Sequence, residues 1–301
     1  MTQPNRNHKD TVFVKLFSER ESLLELYGAI TGKDCPPDTD IQMATLDGVL
    51  FLDQLNDLAF IVDSHLVVLI EHQSTINKNI PLRFLLYVAR EYEKIIDNKV
   101  IYNSSLVKIP TPVFIVFYNG TADFPDDVTL NLSDAFEDVK GDNGLTDGDK
   151  MLELKVRIIN INKGRNEQFV KRSGKLCGYV DFMARIRYNR VERKMELAEA
   201  IPEAVKYCVD NGVIPDFLKK YSSEVINMLM TEFKMEDAIA VWMAEGKVEG
   251  RIEGRIEGRR FEAEAIAARL LRRGDSVDEI AELTDLSRAD VEILKQQIDD
   301  V

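Results

Sequence analysis

Apolar positions along the chain change their period several times, and each change predicts an element. Over residues 10–31, Leu16, Leu23, Leu24, Tyr27 and Ile30 recur at helical spacing and Gly32 supplies a stop, which predicts one helix. Lys33 to Asp40, with Pro36 and Pro37, reads as a loop. Three short β-rich runs follow: Val49 to Leu52, Leu58 to Val62 and Leu66 to Ile70. With Asp63-Ser64-His65 as the last turn, they predict a three-stranded meander. Ile80 to Ile96 returns to helical spacing, with Leu82, Leu85, Leu86, Ala89, Tyr92 and Ile96 as its apolar stripe. Val113 to Tyr118 is an almost unbroken apolar run closed by Asn119-Gly120, the pattern of a strand buried on both faces. Val156 to Ile161 predicts a further strand.

From Asn166 onward the pattern is helical. Phe169, Leu176, Tyr179 and Phe182 lie on one side, and Val205 to Ile214 and Phe217 to Phe233 predict further helices. A repeat of period four then begins: Glu245-Gly246-Lys247-Val248, Glu249-Gly250-Arg251-Ile252, Glu253-Gly254-Arg255-Ile256 and Glu257-Gly258-Arg259-Arg260. Period four stacks Glu over Glu and Arg over Arg, so the repeat forms like-charge stripes instead of i,i+4 ion pairs. Each Gly costs about 1 kcal/mol against Ala in a helix interior. The segment therefore reads either as a helix that pairs with another copy or as a charged linker. Residues 261–297 predict a last helical unit. Arg272-Arg273-Gly274 ends one helix, and Ser276 with Glu279 and Ser287 with Asp290 are capping pairs for two short ones. That pair looks like a helix-turn-helix, but its second helix carries Asp290 and Glu292 beside Arg288 and Lys295, which favours packing or assembly over DNA reading. The predicted organisation is a core over 1–165, a helical extension over 166–244, the repeat over 245–260 and a small helical unit over 261–301.

Composition narrows the class. The chain has 301 residues, 45% hydrophobic and 30% charged, which fits a soluble globular protein. No apolar run approaches the roughly 18 residues of a membrane span, so no membrane partner is expected. The polar first ten residues do not resemble a signal peptide. Cys35, Cys177 and Cys208 are odd in number and far apart, which fits a reducing cytoplasm and offers no zinc spacing. Net charge is −13, unlike a chain that grips nucleic acid through one basic face. Ten of the acids crowd into residues 123–153, however, which leaves local basic patches at Lys155 to Arg172 and Arg185 to Arg193.

The candidate chemistry lies in the meander. Asp57 begins one apolar run, and Glu71 follows Val67-Val68-Leu69-Ile70, where a core strand should end. An acid there is costly to bury unless it is paired or binds metal. If the two runs form a hairpin, Asp57 and Glu71 converge, and Mg²⁺ takes one or two protein carboxylates and keeps several waters.

These residues resemble the PD-(D/E)XK nuclease superfamily and, within it, the Rpn family of recombination-promoting nucleases, also called putative transposases. The likeness is carried by blocks in order: His8-Lys9-Asp10-Thr11-Val12-Phe13, Asn56-Asp57-Leu58-Ala59-Phe60, Glu71-His72-Gln73-Ser74-Thr75, Tyr87-Val88-Ala89-Arg90-Glu91-Tyr92, Pro110-Thr111-Pro112 leading to Tyr118-Asn119-Gly120, and Leu132-Ser133-Asp134-Ala135-Phe136. It implies an α/β fold with a restriction-endonuclease-like mixed sheet flanked by helices, followed by an α-helical C-terminal extension. It also implies a Mg²⁺-dependent DNA endonuclease linked to recombination or mobile elements. Asp57, Glu71 and the backbone carbonyl of His72 would hold the metal. Gln73 stands where the superfamily usually has Lys. It cannot carry charge or take a proton, so it could only orient water or phosphate. Glu21 and Glu25 are candidates for the accessory helix acid, and Arg83, Tyr87 and Arg90 for phosphate contact. The alternative is a catalytically weak chain that serves as a DNA-binding or assembly module, with homo-oligomers formed through the C-terminal helices.

Overall fold

The computed structural model describes residues 11–43, 56–62, 64–71, 77–97, 99–102, 104–137 and 151–299. The chain divides into two compact units, Met1–Phe233 and Lys234–Val301.

The first unit is mixed α/β. Helices α1 (Val12–Phe17) and α2 (Arg20–Thr31) precede β1 (Ile41–Met43), β2 (Asn56–Val62) and β3 (His65–Glu71). Helix α3 (Ile80–Ile95) leads to β4 (Thr111–Tyr118), β5 (Asp127–Asn131) and β6 (Lys155–Asn160). Helices α4 (Glu167–Val170), α5 (Gly174–Val191), α6 (Leu197–Asp210) and the start of α7 (Pro215–Arg273) complete it. Among the described residues the strands form one sheet in the order β1-β2-β3-β4-β6-β5. β1, β2 and β3 are antiparallel neighbours, whereas β4 runs parallel to both β3 and β6. A parallel pair needs a crossover, and α3 supplies it between β3 and β4.

Two cores lie on the two faces of the sheet. On one, Phe13, Leu16, Leu23, Leu58, Phe60, Ile115, Phe117, Tyr179 and Phe182 pack together. On the other, Ala59, Ile80, Phe84, Tyr87, Phe114, Val116, Tyr118, Val156 and Ile158 do so. The alternation within β4 explains its unbroken apolar run: each successive residue enters a different core.

Several expected elements differ in detail. The helix expected over 10–31 is two helices. Ser18 Oγ donates back to the Val14 carbonyl at 2.5 Å and Glu19 is extended, so α1 ends without Gly or Pro. Gly32 then stops α2 at φ 71°, with its N–H on the Gly28 carbonyl at 2.9 Å. The first strand of the meander, among the described residues, is Ile41–Met43, just beyond the expected loop. The run Val49 to Leu52 lies outside the described residues. Helix α3 turns a different face inward from the one its leucines suggest. It buries Ile80, Phe84, Tyr87, Val88 and Glu91, while Leu82 and Leu86 are 44% and 48% exposed. The chain carries two apolar stripes here, and the one with the larger rings fills the space beside Phe114. Glu91, buried on that face, is held by Lys94 at 2.7 Å. Inside the acidic segment, β5 pairs antiparallel with β6, and Asp127 takes a hydrogen bond from Arg157 Nε at 2.8 Å.

The second unit comprises α7 from Lys234 onward, α8 (Val277–Thr284) and α9 (Arg288–Asp299). The backbone is helical through the repeat at 245–260. Gly274, at φ 95°, closes α7 with its N–H on Leu271, and the next N–H reaches Leu270. Ser276 and Glu279 form the expected capping box, and Ser287 accepts from the Asp290 N–H at 3.1 Å. Ala267, Ile280 and Val291 make a small core. Arg288 pairs with Asp278 at 3.0 Å and with Glu292 at 3.6 Å, which binds the basic group of α9 within the unit.

Candidate active site at the C-terminal end of the parallel strands

The β2–β3 hairpin fixes where the two predicted acids stand. Ser64, at φ 61°, makes the turn, and the register runs Val62↔His65 down to Asp57↔Ile70 and Asn56↔Glu71. Asp57 and Glu71 therefore occupy neighbouring rungs at the open end of the hairpin, which the apolar runs between them set in register. Rungs lie about 3.4 Å apart along a strand. Consecutive rungs of a regular pleat also face opposite sides of the sheet. The described part of β2 obeys this, with Leu58 and Phe60 in one core and Ala59 in the other. The side chains of Asp57 and Glu71 lie outside the described residues, as do His72 and Gln73 altogether.

Glu71 is also the last residue of β3 opposite β4, on the rung with Phe117. Two residues later, β4 gives way to Asn119 and Gly120. A methyl placed on Gly120 would come within 2.6 Å of the Tyr118 hydroxyl oxygen, so close approach of that ring, and not a left-handed turn, accounts for the glycine. The Tyr118 hydroxyl donates to the Ala122 carbonyl at 2.9 Å. Burial pushes its pKa upward, opposed by that hydrogen bond and by the nearby Arg187 charge.

At this end of the sheet three asparagines and an arginine interlock. Arg187, from α5, donates to Asn119 Oδ1 at 2.9 Å, to Asn162 Oδ1 at 2.6 Å and to the Asn119 carbonyl. Asn162 Nδ2 donates to the Gly120 carbonyl and to Asn160 Oδ1, both at 3.0 Å. Asn160 Nδ2 reaches the Phe124 carbonyl at 2.8 Å. Asn119 and Asn160 are 1% and 2% exposed, so these amides are built into the end of the sheet. Sequence spacing does not connect them, because Asn119 and Arg187 are far apart in the chain. The visible trace is an Asn closing each of two apolar runs.

The remaining predicted residues fall in different places. Glu25 accepts from the Lys175 N–H at 2.9 Å and so caps α5 alongside Ser173, while Glu21 is exposed. Arg83 and Arg90 are half-buried on α3. Tyr87 is 1% exposed within the core, so it does not share a surface with them. Much of the basic patch expected at Lys155 to Arg172 is paired with acid: Arg157 with Asp127, Lys163 with Asp181, Arg165 with Asp123 and Asp126, and Lys171 with Glu167. Arg185 stacks on Tyr207, 3.6 Å from the ring centre. Among the described residues, no group of three or more His, Cys, Asp or Glu is placed to hold a metal ion.

A model of the family described as putative transposase, YhgA-like, matches residues 51–211, more than half of the chain. The chain belongs to the YhgA-like putative transposase family. The family segment includes β2 and β3, α3, the asparagine-closed strands and Arg187, so it holds the whole candidate site. It stops before most of α7 and the second unit. No curated protein and no solved structure matches the chain. Among the described residues, no helix of this family member is long and apolar enough to cross a membrane.

Proposed function

We propose that this YhgA-like chain is a metal-dependent DNA endonuclease of the PD-(D/E)XK kind, acting in the movement or recombination of mobile elements. The observation that carries the reading is the hairpin register, which sets Asp57 and Glu71 on neighbouring rungs at the end of the sheet where β3 and β4 finish. Open α/β sheets take their ligands beyond the carboxyl ends of their strands. The family's transposase description supports a DNA substrate.

Two carboxylates suit Mg²⁺, which keeps several waters and takes few protein ligands. Asp57, Glu71 and the carbonyl of residue 72 would hold it. The register sets one condition: the pleat must break at the last rung for both acids to reach one ion. A divalent cation supplies charge stabilisation at the phosphodiester and a more acidic water. Gln73 orients the attacking water through its amide and leaves the proton to another base.

Cleavage of supercoiled plasmid tests this. Wild-type chain should nick DNA with Mg²⁺ and not with EDTA, and Asp57→Asn and Glu71→Gln should each lower the rate by at least a hundredfold. Full cleavage by either variant would refute the assignment.

A second reading, a nuclease-like chain that binds or assembles without cutting, rests on the consecutive rungs of Asp57 and Glu71, since consecutive rungs of a regular pleat face opposite sides of a sheet. Exposed apolar side chains in the second unit, Phe261 at 73% and Leu283 at 70%, suit assembly. Removal of residues after 244 should then reduce the oligomer measured by sedimentation while DNA retention stays unchanged.

A further inference from the structure

We propose that Tyr188 and Tyr207, joined by Arg185, form a platform on which bases of an unpaired DNA strand stack beside the candidate site. This deepens the nuclease reading and rests on its choice of DNA as substrate. The Arg185 guanidinium of α5 lies 3.6 Å from the ring centre of Tyr207 on α6 and 5.1 Å from that of Tyr188 on its own helix. Its Nε is buried without a hydrogen-bond partner, so contact with the rings is what holds this cation. Among the described residues no carboxylate pairs with it, and Asp181, one turn before it, is taken by Lys163 at 3.1 Å. One cation thus fixes two rings. Both rings stay open to solvent: Tyr188 is 48% exposed and Tyr207 40%. Val191, 69% exposed, continues the strip one turn along α5.

The chemistry of this strip fits a nucleic-acid base. Bases stack on aromatic rings and on guanidinium planes, and the backbone that joins them is anionic. An apolar partner would have to cover the Arg185 charge without answering it, which is costly. Rings already held in place also lose little freedom when a ligand stacks on them. Position points the same way. Arg187, the residue before Tyr188, donates to Asn119 at the end of β4. Helical neighbours stand about 100° apart, so α5 turns Arg187 to the end of the sheet and Tyr188 outward next to it. Asn119 in turn lies two residues past Phe117, whose rung partner on β3 is Glu71. A strand that leaves the proposed metal ligands along α5 meets the rings. Base faces inside a duplex are covered by their neighbours, so only an opened or single-stranded segment can use them.

The test is binding of a fluorescein-labelled, mixed-sequence single-stranded DNA oligonucleotide by the full chain in EDTA, followed by anisotropy, with a duplex of the same length beside it. Tyr188→Ala should weaken single-strand binding about tenfold, the loss of one base–aromatic stack, and Tyr207→Ala likewise. Tyr188→Phe, which keeps a ring, should bind as wild type does, and duplex affinity should stay unchanged in all three. Unchanged single-strand affinity in Tyr188→Ala overturns the proposal. Equal weakening of single-strand and duplex binding overturns it too, as does a wild-type chain that binds no single strand. Should Tyr207→Ala lose its native circular dichroism, Tyr188→Ala, at the more exposed ring, decides; unfolding of both overturns the proposal, because the rings are then a structural clamp. Mg²⁺-dependent plasmid cleavage is read in parallel. A wild-type chain that cuts while Tyr188→Ala binds normally loses only the platform; one that binds through the rings and never cuts loses only the nuclease reading.

Discussion

Glu25 of α2 accepts a hydrogen bond from the backbone N–H of Lys175, 2.9 Å away at the first turn of α5. A carboxylate from one helix thus closes the start of another, next to the Ser173 cap, whose hydroxyl accepts from Leu176 at 3.0 Å. The contact makes Glu25 a fastener between α2 and α5. Glu25→Ala should cost about 1 kcal/mol in urea unfolding, as loss of a helix cap does. Glu25→Gln, which keeps an acceptor oxygen, should recover most of it. A large loss of cleavage by Glu25→Gln with stability intact would return Glu25 to the active site.

The end of β4 is tightly built. Tyr118 is 1% exposed and tied to Ala122, and an added carbon at Gly120 would lie 2.6–2.7 Å from its hydroxyl and ring atoms. Gly120→Ala should therefore destabilise the chain by about 1–3 kcal/mol, the usual cost of overpacking. A double-mutant cycle with Tyr118→Leu should show strong coupling, because removal of the ring opens the space. Additive effects would mean that the glycine answers to another constraint.

Cys208 supplies a pH signature. It is 1% exposed, and burial is the largest cause pushing its thiol pKa up from 9.0 to about 11. The neutral thiol is favoured in the folded state, so its contribution to stability is full below pH 9. It declines as pH rises from 9 towards about 11. Urea midpoints measured from pH 8 to 11 should fall, and Cys208→Ala should fall less steeply. At pH 8, Cys208 should alkylate far more slowly than the half-buried Cys35. Equal rates would contradict the burial.

The parts of this fold that were legible in the sequence are those in which local pattern and final burial coincide. The unbroken run at Val113 to Tyr118 becomes β4 with both faces covered, and the runs flanking Ser64 become the β2–β3 hairpin. The Ser276–Glu279 capping box is readable because it closes over three residues. Ile41–Met43 is too short to show alternation, and its strand character comes from pairing with Phe60 to Val62. β5 hides among acids because a strand at the sheet's edge tolerates charge, and Arg157 answers Asp127. The inward face of α3 is not legible in the sequence, because both stripes are apolar and only the partner sheet chooses between them. At the candidate site, the hairpin that carries Asp57 and Glu71 was legible from the apolar runs on either side of its turn. The cluster of Asn119, Asn162 and Arg187 was not, because it joins groups from separate elements that only the folded sheet brings together.

The claim that Asp57 and Glu71 share one divalent cation is tested most directly by crystals of the full chain soaked in Mn²⁺. An anomalous difference map should show one strong peak within about 2.5 Å of a carboxylate oxygen from each residue, the span of such ligand bonds. The peak should vanish in Glu71→Gln. Two carboxylates turned to opposite faces of the sheet, with no ion between them, would contradict the account.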